Sequence, residues 1–396
     1  MESIRKMEDK TMMKFTMYSK ELKTMMEKGT AAINKKATLS SLTRLYFQVE
    51  ADGTVKTLGT DMEHFAEIRS NNAWNTSPGV LGIDTEDIKV LSKMDGDITI
   101  EDISTDAEYK INVKCGKKNV TIPKYENIDI FLPSMDDTEA HILTMNESWL
   151  LETITNLYTY TSESDGNKLL QVYNFNTTHE RIEALDGHRI GMRTLEKQKI
   201  LQKDNNVMLH RKCMPVFKKI MDKKSDAEVK VYQDKKYIRV EGKDFTYIIR
   251  RVDGEYFKVN QMLTDDRDYM FNADRENMLS VMKYNCDMVK QEQKPVIFHS
   301  ENGKLYSYMV TSRYETFDEL EIKDNTMDDN LYIGFNPYYI ADAFSIIDCD
   351  NPVCRGKNNK SPMFIDGNEY SFLILPVNIG NDKLVENIRG HINRAA

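Results

Sequence analysis

MLHRKCMPVFKKIM, residues 208–221, runs from an apolar strand end through a polar junction into a segment of helical period. The same pattern, in different letters, appears at GIDTEDIKVLSKM (82–94) and GFNPYYIADAFSII (334–347). The junction residues Asp84, His210 and Asn336 stand 126 positions apart each time. A second set keeps this spacing: MKFTMYSKELKTMM (13–26), HILTMNESWLLETI (141–154) and YMFNADRENMLSVM (269–282). Each reads as a short strand, a polar turn and a helix, with Ser19, Asn146 and Asn272 where a helix N-cap belongs. A third set, YKINVKCGKKNVTI (109–122), KYIRVEGKDFTYII (236–249) and SPMFIDGNEYSFLIL (361–375), alternates around a central glycine as a hairpin does.

Three sets in one register define three copies of a single unit. The period far exceeds the ~20–50 residues of a stacking repeat, so each copy is a domain. Two helices at fixed places among roughly eight short strands predict an α+β unit with both helices on one side of antiparallel sheets. The boundaries fall at the polar runs SMDDTEA (134–140) and QMLTDDRD (261–268), giving domains over 13–138, 139–264 and 265–379. Residues 1–12 and 380–396 are extensions on either side, and Met1 and Met13 are both candidate starts.

The chain has 396 residues and a net charge of −9, which argues against general nucleic-acid binding by the whole surface but not against a local basic patch. No window approaches the ~18 apolar residues of a membrane span, and the N-terminus lacks the apolar core of a secretory signal. Five scattered cysteines without a C-x-x-C pair point to reduced thiols and a cytoplasmic location. Phosphate loops, dinucleotide fingerprints, H-E-x-x-H and G-x-S-x-G are all missing, and no two of the seven histidines have helical metal-pair spacing.

The chemically densest stretch is ALDGHRIG (184–191). Asp186 orienting His188 beside Arg189 could be a fragment of an acid–base site. It could equally be a structural turn on Gly187, or a recognition surface with polar tips next to Leu185 and Ile190.

With the triple repeat, the run MKFT, GTD (59–61), DGHR (186–189), VDGEYF (252–257), IGFN (333–336) and LILPV (373–377) resembles the bacterial sliding clamp, the beta subunit of DNA polymerase III, over about residues 13–379. The resemblance implies three repeated DNA-clamp domains forming a half-ring, and a head-to-tail homodimer that closes around duplex DNA irrespective of its sequence. It also implies a processivity factor that is not an enzyme, with no cofactor and no metal. Its partners would be the replicative DNA polymerase, the clamp loader and other proteins carrying the clamp-binding motif, with no membrane involved.

A partner peptide with apolar anchors would enter a cleft between the second and third domains. Carried over by position, its walls would be Leu170, Leu185, Gly187, His188, Arg189, Ile190, Phe257, Met262, Asn336, Tyr339, Ser361, Leu373, Ile374, Leu375, Pro376 and Val377. ALDGHRIG then becomes pocket wall, with His188 and Arg189 orienting the peptide. The helix lysines would face DNA: Lys20, Lys23 and Lys36 in the first helix region, and Arg211, Lys212, Lys218, Lys219 and Lys223 around 210–224. The six expected helix segments together carry +3, leaving −12 for the rest, a split suited to a basic channel and an acidic exterior. The subunit contact would pack Val120 and Ile122 against Met288 and Val289.

This chain departs from the family at Asn167, Phe257 and Gln261, where arginine, proline and arginine are usual, and at TLSSL (38–42), which lacks the family's proline. A divergent clamp with its own partner motif is expected. In the tail, Leu384, Val385, Ile388 and Ile392 fall on one helical face, and the tail is expected to lie partly over the cleft.

Overall fold

The computed structural model describes residues 12–125, 132–164, 166–263, 267–290, 292–379 and 382–395. The first copy holds β1 (Lys14–Tyr18), α1 (Ser19–Gly29), β2 (Arg44–Val49), β3 (Val55–Thr60), β4 (His64–Ser70), β5 (Trp74–Ser77) and β6 (Gly79–Asp84). It finishes with α2 (Thr85–Leu91), β7 (Asp97–Asp102), β8 (Lys110–Cys115) and β9 (Lys118–Pro123). The second runs through β10 (Ala140–Asn146), α3 (Glu147–Asn156), β11 (Val172–Asn176), β12 (Arg181–Leu185), β13 (Arg189–Thr194), β14 (Lys199–Ile200) and β15 (Asn206–His210). It then adds α4 (Cys213–Ile220), β16 (Glu228–Gln233), β17 (Tyr237–Glu241) and β18 (Phe245–Arg250). The third has β19 (Tyr269–Ala273), α5 (Arg275–Val289), β20 (Val296–Glu301), β21 (Lys304–Val310), β22 (Glu315–Leu320), β23 (Ile322–Lys323) and β24 (Tyr332–Phe335). After these come α6 (Pro337–Ile346), β25 (Val353–Gly356), β26 (Met363–Gly367), β27 (Tyr370–Ile374) and a final helix, α7 (Asp382–Ala395).

The element order therefore recurs three times, with nine strands per copy among the described residues; the ninth is one of the short strands β5, β14 and β23. Helix starts obey local chemistry. Asp84 accepts from the Glu86 amide, Asn336 from the Tyr338 amide and Asp274 from the Asn277 amide, each side chain satisfying an amide that the first turn leaves open. Two expected caps move: Ser19 lies inside α1 behind Tyr18, and Asp274 replaces Asn272. After the junction residue His210, α4 begins behind Lys212. In α1, Leu22, Met25, Met26 and Gly29 make the buried stripe, packed on β3 and β4.

Two compact units result. One is drawn from residues up to Glu152, Gln198–Lys203 and Lys212–Arg251; the other from Thr153–Lys197, Asp204–Arg211 and Val252 onward. The first unit contains a five-stranded sheet, β5-β1-β7-β8-β9, and a nine-stranded sheet, β14-β10-β16-β17-β18-β4-β3-β2-β6. The second contains the nine-stranded β15-β11-β12-β13-β27-β26-β25-β19-β23 and the four-stranded β22-β21-β20-β24. All four sheets are antiparallel.

These orders share one rule. Every copy makes a five-stranded half and a four-stranded half, and the last strand of one copy pairs with the fourth strand of the copy before it. Thus β18 pairs with β4, Phe245 opposite Ile68, and β27 pairs with β13, Ile374 opposite Arg189. The same rule leaves one edge of each kind without its counterpart, β9 in the first copy and β22 in the third. The two units do not follow the copy boundaries because each nine-stranded sheet is continuous across a junction.

Candidate functional site

ALDGHRIG is the hairpin joining β12 to β13. Gly187 takes φ +93°, a conformation that favours glycine, and the Asp186 carboxylate accepts from the His188 and Arg189 amides at 2.9 and 3.0 Å. The aspartate is thereby committed to its own turn.

Arg189 points inward and is only 7% exposed. Its Nε donates to Asp186 Oδ2 at 3.0 Å, Nη1 to Asp342 Oδ2 at 2.7 Å and Nη2 to the Thr159 carbonyl at 2.7 Å. The guanidinium also lies over the Tyr160 and Tyr339 rings, 4.5 and 4.3 Å from their centroids. Burial, with Asp186 adding to it, raises the Tyr339 hydroxyl above the usual phenol value. The expectation that Arg189 orients a peptide is corrected: it ties the turn to α6 and holds the wall from behind. The exposed tip is His188, stacked near Tyr339 with ring centroids 6.4 Å apart.

Around this turn opens a cavity of about 640 Å3. Its lining brings together His188, Asn336, Tyr339, Leu375, Pro376 and Val377, all expected from the sequence. It adds Tyr338, Val289 and Lys290 at the end of α5, and residues 292–295, which sequence reasoning missed as lining. The capped start of α6, Asn336-Pro337-Tyr338-Tyr339, was the available signal, since a helix N-terminus aims its first side chains at whatever it faces. Leu375 and Val377 are 40% and 39% exposed, an apolar lip kept in solvent. Backbone bonds fix the lip, from the Leu375 amide to the His188 carbonyl and from the Val377 amide to the Gly334 carbonyl.

Leu185, Ile190 and Leu373 are buried in an apolar cluster with Met192, Tyr256 and Phe364, and half-buried Leu170 and Phe257 pack on it. None of these expected cleft residues lines the cavity; they form a separate apolar cluster flanking the turn in the chain. Ile374 is fully buried, because strand alternation turns it to the face opposite Leu373; its place in the wall is corrected. Met262 is 44% exposed, while Ser361 bonds to Asn358; neither belongs to the cavity lining or the cluster.

The basic set divides. Lys20 and Lys23 on α1 and Lys218 and Lys219 on α4 are exposed, and these two helices pack together. Lys36 and Lys223 are exposed but lie past the ends of their helices. Lys212 is exposed and pairs with Glu63 at 3.3 Å. Arg211 is corrected: its Nε donates to Thr161 at 2.9 Å, its guanidinium covers Tyr158, and only 11% of the side chain is exposed.

Of the expected subunit-contact residues, Val120 is half-buried on the edge strand β9. Ile122 is 6% exposed and Val289 5%, so both already sit in this chain's own core, and Val289 also lines the cavity; Met288 is half-buried. Among the described residues there is no metal-binding cluster of His, Cys, Asp or Glu, and no helix is long and apolar enough to cross a membrane.

A family model of the DNA polymerase III beta subunit, central domain, matches residues 144–258, the stretch that carries the ALDGHRIG turn. The beta sliding clamp of Pseudomonas aeruginosa is 22% identical over 375 residues, covering 93% of this chain and all of that one. The beta sliding clamp of Escherichia coli K12 is 24% identical over 353 residues, covering 86% and 92%. A crystal structure from Eubacterium rectale, described as a DNA polymerase III beta subunit, superposes with a TM-score of 0.84 at 25% identity, covering 93% of this chain and 100% of that one. The chain is similar to beta sliding clamps over most of its length. Of the departures from the family pattern, Phe257 packs on the apolar cluster beside the turn.

Proposed function

We propose that this clamp is a DNA polymerase processivity factor that closes around duplex DNA as a head-to-tail pair of chains. It holds the replicative polymerase, and it has no catalytic role of its own. The three clamp domains are 13–138, 139–264 and 265–379.

One observation carries the closure. Where the strand rule joins successive copies, each joint pairs a last strand with a fourth strand, and the remaining last and fourth strands, β9 and β22, are both sheet edges. A second chain offers the missing counterpart to each, and two such contacts close on themselves where a single type of contact would otherwise propagate. Charge favours the match. β9 is KNVTIP beside Lys114 and Lys117, whereas β22 is ETFDEL beside Glu321. Unlike charges at exposed edges also disfavour pairing of an edge with its own kind.

The packed helices α1 and α4 bring Lys20, Lys23, Lys218 and Lys219 to one basic surface suited to phosphate contacts without base readout. The cavity beside His188 takes the apolar anchors of a partner peptide, in the polymerase, the clamp loader or other clamp-binding proteins. The test is topological. Clamp assembled on a closed circular duplex should stay bound through gel filtration at high salt and leave once the circle is cut. Retention on the cut DNA would refute encirclement.

A further inference from the structure

The tail does not lie over the groove. α7 packs on a face of the four-stranded sheet, with Ile388 fully buried and Ile379, Leu384, Val385 and Ile392 half-buried against Ile297, Tyr308, Val310, Phe317 and Tyr332. Polar contacts fix its rotation. Asn387 Nδ2 donates to the Tyr308 hydroxyl at 3.4 Å, Arg389 Nε to the Tyr332 hydroxyl at 3.3 Å, and His391 Nε2 meets Glu315 Oε1 at 2.9 Å. The His391 ring also lies 5.2 Å from that of Phe317, nearly parallel to it.

The segment entering α7 is the lip of the groove. Val377 bridges Gly334, and Ile379 sits so close over Gly334 that a Cβ there would come within 2.5 Å of Ile379 Cγ2. From Leu375 to Ile379 the chain runs from the groove wall to a residue packed in the same apolar cluster as the α7 side chains. Leu375 and Val377, being two-fifths exposed, have little burial of their own to hold them.

We propose that α7 positions the lip, with Ile388 as its anchor: the docked helix keeps Leu375, Pro376 and Val377 against His188 and Tyr339 in the arrangement that a partner's apolar anchors require. This rests on the reading of the groove as a peptide site. Loss of the anchor lets the lip leave its two backbone bonds, so the groove meets a peptide only part of the time and its affinity falls in proportion.

The test uses the full-length wild type, Ile388→Asp, Ile388→Leu and a chain truncated after residue 381. Two readouts are taken: anisotropy of a fluorescent decapeptide ending in Leu-Phe, and amide exchange at Leu375 and Val377. In Ile388→Asp and the truncation, Kd should rise about tenfold and both lip amides should exchange about tenfold faster, the two changes reporting one opening equilibrium. The Met192 amide in β13 should be unaffected, and Ile388→Leu should restore both readouts. Unchanged lip exchange, or a peptide bound as tightly or more tightly without α7, overturns the proposal. A wild-type chain that ignores the peptide strikes the groove reading instead, and lip exchange then decides the anchoring separately.

Discussion

Replacing Arg189 with alanine removes three charge-assisted hydrogen bonds and two ring contacts at once. Asp186 and Asp342 remain, with side chains 15% and 34% exposed, so one carboxylate is left largely buried and the other can recover some hydration. Breaking a buried pair from one side costs about 3–5 kcal/mol, and the exposure of Asp342 places the loss near the lower figure, about 3 kcal/mol. In a folded body of this size each kcal/mol lowers the melting temperature by about 2–4 °C, which gives a drop of about 6–12 °C in a thermal melt. Arg189→Lys should fall between, since an ammonium cannot reach two carboxylates and a carbonyl in the fork geometry of a guanidinium. A cycle with Asp342→Ala should show a coupling above about 1 kcal/mol. Peptide affinity should fall as well, because Tyr339 loses the cation that aligns it with His188. A melting temperature within about 2 °C of wild type, with peptide binding intact, would refute the assignment of Arg189 as the tie behind the wall.

Val120→Asp on β9 should convert the closed pair into a folded single chain, read by sedimentation equilibrium; a pair that resists dilution would move the contact elsewhere. Lys218→Ala with Lys219→Ala should reduce the salt slope of duplex binding by about one per lysine without altering sequence preference; an unchanged slope would take α4 off the DNA. The hydrogen bond from His391, helped by that from Tyr308, holds the Glu315 carboxyl below its ordinary value. A depressed folded-state value means that this contact stabilises α7 above the usual carboxylate range and is lost as the pH falls through the lower folded value. The protection factors of the α7 amides, corrected for their intrinsic exchange rates, should therefore fall on acidification below about pH 4.5, and Glu315→Gln should flatten that dependence. Persistence of the dependence in the variant would assign it to another group.

Periodicity carried most of the fold because each copy buries the same faces: the α1 stripe, the three hairpins and the junctions at Asp84 and Asn336 could be placed from spacing alone. At the His210 junction the chain takes two further residues before α4 begins, a shift that periodicity does not register. The groove was legible as far as its turn and lip, since DGHR and LILPV lie in the chain where the turn and the lip are. Arg189 was misread because its partner Asp342 lies 153 residues away, and a guanidinium reads as exposed until its carboxylates are known. Ile374 was misread for want of strand phase, because one step along β27 exchanges the face of the Leu373 cluster for the opposite face. The apolar stripe of α7 was visible in the sequence, but a stripe says only that something is covered. That the cover falls on Tyr308 and Tyr332 depends on a sheet assembled from distant strands.

The strand rule also bears on where such an assembly would come apart. At β18–β4 and β27–β13 the paired edges belong to one polypeptide, so a ruptured joint is held at high local concentration and re-forms before its ends can diffuse away. The proposed β9–β22 joint between two chains would have the same kind of ladder and no tether. Even with equal hydrogen bonding, that proposed joint would be the first to open. Splicing the end of one copy to the start of the next would tether one such gate and leave the other as the entrance.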